Sequence, residues 1–210
     1  MRRIKRILLA FLQMPYYRNH QATSGAVHNI SKHEDAVKDV MISHGLQESA
    51  RSLSRAERDL WLQDPSRCDM KDNTFISQPC GTHDSPDFIA KVDGKSYFFE
   101  CKSVRGSTKA PMYNSGVPKA GYIYVFTSER YNETTIYYGE DVCPPEDYNT
   151  FQELIQEHRK LDEKYNPQFI NPFGLQHYTR PMIKHVGGID YFRNPLRSRN
   201  EKRVLNAEGE

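Results

Sequence analysis

The chain has no apolar run long enough to cross a membrane, no C-x-x-C pair and no internal repeat. Its four cysteines, Cys68, Cys80, Cys101 and Cys143, are far apart and irregularly spaced. That pattern speaks against a zinc knuckle and against a disulfide framework. Free thiols and a reducing, cytoplasmic (intracellular) setting are expected instead. Cys80-x-x-His83 alone is too short a signature for a metal site. Apolar character is scarce too, with a mean hydropathy of −0.78. Tyrosine, with 13 copies, is abundant, which suits a protein with a wet, polar binding surface.

A clear excess of one charge sign is also missing, since 29 Lys and Arg face 27 Asp and Glu. The balance conceals an asymmetry. Residues 1–30 carry five bases and no acid, residues 129–163 carry ten acids and three bases, and residues 176–203 carry seven bases and two acids. Basic ends around an acidic middle fit a polyanionic partner better than the net charge of +2 does. At 210 residues a single domain over 1–210 is expected, with a basic N-terminal helix (1–14) and a basic C-terminal tail (191–210).

Periodicity supplies the elements. Ile4, Ile7, Leu8, Phe11 and Leu12 share one helical face, and Pro15 marks the end of that helix. The stretch is too short for a secretion signal. Residues 16–30 read as a polar loop. Ser31-Lys32-His33-Glu34 is a capping box before a helix with Ala36, Val37, Val40, Met41 and His44 on one face, stopped by Gly45. Residues 52–61 read as a second helix or a pair of turns, with Ser54-Arg55-Ala56-Glu57 as another capping box. Strands are expected at Thr74–Ser77, Phe88–Val92, Ser96–Phe99, Tyr122–Phe126 and Thr134–Tyr138. A helix is expected over 151–165, with Phe151, Leu154, Ile155, His158 and Leu161 on one face. The fold class is therefore α/β (α+β), a central mixed sheet of four to five strands flanked by helices. Residues 206–210 are expected to be disordered.

One hairpin carries the chemistry. Asp93-Gly94 between the strands Phe88–Val92 and Ser96–Phe99 is a type I′ turn signal. Closing it brings Asp87 beside Glu100. Glu100 and Lys102, two apart, point to the same face. Two converging carboxylates repel unless a cation sits between them or one is protonated. A hard cation such as Mg²⁺ suits them, with the Cys101 backbone carbonyl as a third ligand and Lys102 beside it.

Pro86-Asp87, twelve residues, then Glu100-Cys101-Lys102 resembles the PD-(D/E)XK nuclease motif. The wider run from Gln78 to Asp87, with Glu100-Cys101-Lys102-Ser103, resembles type II restriction endonucleases. The resemblance implies a restriction-endonuclease-like fold and Mg²⁺, with Mn²⁺ as a substitute, held by Asp87 and Glu100. It also implies that Lys102 assists attack of water on a DNA phosphodiester, leaving 5′-phosphate ends. Glu34 is then either a metal-site acid or only a helix cap. Gln78 either positions the site or a phosphate, or is an ordinary loop residue. Expected partners are double-stranded DNA, a second copy of the chain and a protecting DNA methyltransferase, with no membrane. The long basic segment after Lys102 supplies candidate DNA contacts, Ser103, Arg105, Lys109, Tyr113, Asn114 and Lys119, joined by Gln78 and Arg180. Tyr178, Lys184 and His185 are further backbone-contact candidates. Two other readings share these residues: a structure-specific or repair endonuclease, and a non-catalytic nucleic-acid-binding module.

Overall fold

The computed structural model describes residues 1–16, 32–81, 84–114 and 116–207. A six-stranded mixed sheet in the order β1-β2-β3-β4-β6-β7 forms the middle layer. Its strands are β1 (Gln47–Glu48), β2 (Thr74–Ser77), β3 (Phe88–Val92), β4 (Lys95–Val104), β6 (Tyr122–Ser128) and β7 (Glu133–Tyr138). The pairs β1–β2 and β4–β6 are parallel, and the others are antiparallel. The expected four to five strands become six because the two-residue β1 is too short to show a pattern. A separate two-stranded ribbon joins β5 (Met112–Tyr113) to β8 (Ile183–Lys184).

Alternation along the strands makes two cores. Tyr97, Phe99 and Cys101 of β4 face α1 (Arg3–Leu12) and α2 (Lys32–Ser43), while Phe98 and Val104 face a second cluster around Trp61, Tyr124 and Phe126. Helix α1 forms because its apolar residues recur at helical spacing. Ile4, Ile7, Leu8 and Phe11 are all buried, and Phe11 meets Phe99 edge-on at 5.6 Å. Each such burial contributes roughly 1.5–3 kcal/mol. Helix α2 ends in a Schellman motif, with Gly45 at φ +86° donating to Ile42 and Leu46 donating to Met41. Ser31, its expected cap, lies outside the described residues. So do all but Tyr16 of the expected loop 16–30, and His83. The capping box Ser54–Glu57 opens α3 (Arg55–Gln63), a helix and not a pair of turns.

Three expectations need correction. The helix read as 151–165 starts earlier, as α4, Pro145–Tyr165, and only part of its apolar face is covered, where Phe151 and Ile155 pack with Val117 and Cys143. Ile155 is buried, but Leu154 and Leu161 are each 51 % exposed. The C-terminal tail is not a free basic segment. Helix α5 (Arg197–Ala207) packs Val204 into the core beside β7. Asn206 and Ala207 belong to that helix, and 208–210 lie outside the described residues. Two of its three arginines meet acids, Arg197 bridging Glu133 and Glu201 and Arg203 bridging Glu140 and Asp141, while Arg199 is exposed. Two bases of the basic end, Arg197 and Arg203, thus neutralise acids of the middle instead of awaiting a polyanion. Finally, the segment after Lys102 is long because β4 and β6 are parallel. A parallel pair needs a crossover of a dozen or more residues, and β5 lies within it.

Candidate active site

The hairpin places the carboxylates. Asp93 and Gly94 turn at φ +52° and +80°, which sets the register Phe88 opposite Phe99. Asp87 therefore stands opposite Glu100, one step beyond the last pair. Asp87 Oδ2 accepts the backbone N–H of Cys101 at 2.7 Å. The N–H and C=O of a strand residue point the same way, so the Cys101 carbonyl also faces the side where Asp87 stands. On β4, Lys102 Nζ donates to Glu100 Oε1 at 2.7 Å, and both side chains are buried. Glu34 reaches the group from the first turn of α2. Its Oε2 accepts Nε2 of Gln78 at 2.8 Å. The Gln78 backbone N–H in turn donates to the Asp87 carbonyl at 2.6 Å. Gln78 is thus tied to two acids of the site, and its side-chain amide holds Glu34.

The electrostatics follow from burial and crowding. Burial first, then the charges of Glu100 and Glu34, push the Asp87 carboxyl up to about 8, against the Cys101 N–H and Lys102. Burial would lower the Lys102 ammonium, but attraction to Glu100 and the bond to it outweigh burial and raise it. Lys102 therefore keeps its proton. Burial, then Asp87 and the other carboxylates, hold the Cys101 thiol protonated, well above its ordinary range.

These groups open into a cleft of about 670 Å³. Glu34, Asp87, Glu100 and Lys102 form one wall. Asn114, Arg180, Lys184 and His185, on and beside the β5–β8 ribbon, form the other. Among the described residues no three His, Cys, Asp or Glu side chains stand in a ready metal cluster. Mg²⁺ does not require one, because it keeps waters and binds through one or two carboxylates plus substrate phosphate. The donors are of the right kind: hard oxygens from Asp87 and Glu100, whose mutual repulsion a cation would relieve.

The candidate DNA contacts divide. Ser103, Asn114 and Arg180 line the cleft, and Arg180 Nε donates to the Asn114 carbonyl at 2.9 Å. Tyr113 does not face it. Its ring is buried and its hydroxyl pairs with that of Tyr137 at 2.9 Å, because β5 lies on the second core. Lys119 sits elsewhere, over the Tyr122 ring and 3.5 Å from the Ser85 carbonyl. Arg105 is exposed beyond β4 and Lys109 is half-buried near Asp190; neither lines the cleft. Asp84, Thr108 and Met182 line it but were not singled out by the sequence. None of the three had a signal in the sequence; Met182 comes to the cleft only because it precedes β8, which pairs with β5. Neither family models, curated proteins nor solved structures yield a match to this chain.

Proposed function

We propose that the chain is a Mg²⁺-dependent DNA endonuclease that cuts both strands at a specific sequence and leaves 5′-phosphate ends, as type II restriction enzymes do. One observation carries the reading. Asp87 and Glu100 converge from paired strands beside Lys102, which bonds to Glu100, and all three line one open cleft. Asp87, Glu100 and the Cys101 carbonyl hold the cation, and Mn²⁺ can replace Mg²⁺. When bound, the cation supplies Lewis-acid charge against a phosphodiester. Lys102 would help deprotonate or position the attacking water, or stabilise the charge that grows on the phosphate. Gln78 holds Glu34 near Asp87, where Glu34 would complete the metal site as its further acid. One such site per chain and two strands to cut call for a homodimer on a palindrome. A sequence-specific cutter also calls for a methyltransferase that protects host DNA.

A second reading, a structure-specific or repair endonuclease, shares every one of these groups. It is favoured by a further cleft that continues from the first past Asn114 and Arg180. Digestion of a sequenced plasmid with and without Mg²⁺, beside Lys102→Ala, separates the readings. Discrete Mg²⁺-dependent fragments, absent with Lys102→Ala, are the expected result. Nicked circles or a smear would favour the second reading. No cleavage with any divalent cation, with salt-sensitive DNA binding retained, would leave only a binding module.

A further inference from the structure

Two clefts meet at Asn114, Arg180 and Asp84. One is the carboxylate cleft; the other, about 700 Å³, continues past them to Arg159, Tyr178 and Cys80. The second cleft takes no part in the hydrolysis described above. Its chemistry is distinctive. Arg159 projects into it from α4, and neither Arg159 nor Arg180 forms an ion pair with another described side chain. Tyr178 is 81 % exposed, and its ring stacks on no other described ring. Asp84 is the one acid on the rim, so the balance of the lining is positive.

Arginines tracking a groove beside a free aromatic face are the elements of a single-strand platform. The cations meet phosphates and the ring stacks a base without reading its sequence. In an intact duplex both faces of a base are covered by its neighbours. A tyrosine ring can stack only on a base that is single-stranded or has left the stack. The pocket is also on the scale of small-molecule sites, roughly 300–1,000 Å³, which suits one nucleotide.

We infer that the second cleft holds one unstacked nucleotide of the strand being cut, next to the scissile phosphate. Tyr178 stacks its base, while Arg159 and Arg180 hold the phosphates on either side. The inference rests on the nuclease reading for the position of the scissile phosphate, but not for the binding itself. Extruding a base costs least where pairing is already weak. The enzyme should therefore favour single-stranded, frayed or mismatched positions beside the cut.

The test uses a 15-residue single-stranded thymidine oligonucleotide carrying one 2-aminopurine, titrated with the full-length protein in Ca²⁺. Wild type should quench the fluorophore. Tyr178→Ala should weaken binding about tenfold and remove the quench, consistent with the loss of one base–aromatic stack. Tyr178→Phe should restore both, because a phenyl ring stacks equally well. Arg159→Ala should weaken binding and lessen its salt dependence. Unchanged binding by Tyr178→Ala, a Tyr178→Phe as weak as the alanine variant, or no binding by wild type would overturn the proposal. Plasmid digestion, run in parallel, keeps the two readings apart. Tyr178-dependent binding without any cleavage would sink the nuclease reading and support the subsite. Cleavage with binding indifferent to Tyr178 would do the reverse.

Discussion

Two phenylalanines mark the contrast between the halves of this molecule. Phe99 lies in the central strand β4, fully buried against Phe11 and Tyr97. Phe173 lies between α4 and β8 and is 86 % exposed. The first half is held by strand ladders and two apolar cores. The second, residues 166–180, is held by side chains bonding to backbone. Asn171 accepts the N–H groups of Phe173 and Leu175, and Asn166 closes the loop by exchanging two bonds with the His177 backbone. Asp162 adds the Thr179 N–H and the His177 ring. The acids and Lys102 stand on or beside the rigid half, where small displacements would spoil the geometry. Arg180 and the exposed Tyr178 stand in the loop half, with Arg159 facing them from α4, where a substrate of variable shape must be met.

The contrast can be tested from its largest effect to its smallest. Phe99→Ala should cost about 3–5 kcal/mol of stability in urea unfolding, since the cavity would open between α1 and the sheet. A loss under about 1 kcal/mol would mean that β4 is not the structural centre. Asp87→Asn should lower cleavage by about 10³-fold. The same change should raise the metal-free melting temperature, because one of two repelling carboxylates is gone. Added Mg²⁺ should stabilise wild type but not this variant, by differential scanning fluorimetry. A variant destabilised without metal would show that Asp87 and Glu100 do not oppose each other.

Gln78→Ala should raise the Mg²⁺ concentration needed for half-maximal cleavage about 10–100-fold, with folding unchanged, because Glu34 loses the bond that holds it. An unaltered Mg²⁺ dependence would return Glu34 to the role of a helix cap. Arg180→Ala should weaken oligonucleotide binding modestly. It should also flatten the slope of log K against log salt by about 0.7–0.9, the signature of one lost phosphate contact. Phe173→Ala should shift stability by no more than about 0.5 kcal/mol. A large loss there would show that the loop is part of the core after all.

Local patterns reached a long way into this protein. The 3.6-residue stripe of Ile4, Ile7, Leu8 and Phe11 dictates a buried helix. The Asp93-Gly94 turn sets a hairpin register, and that register alone stands Asp87 against Glu100. Such features follow from the nearest few residues, so their information lies in the chain itself. What the tertiary structure decided depends on partners distant in sequence. The parallel pairing of β4 with β6 turned a basic loop into a crossover and sent Tyr113 into the core. The docking of α5 on β7 spent Arg197 and Arg203 on Glu133, Glu140 and Asp141. The pairing of β5 with β8 carried Arg180, some eighty residues away in sequence, across the cleft from Lys102. No local periodicity records those meetings, because charge and apolar surface find their partners only once the sheet has closed.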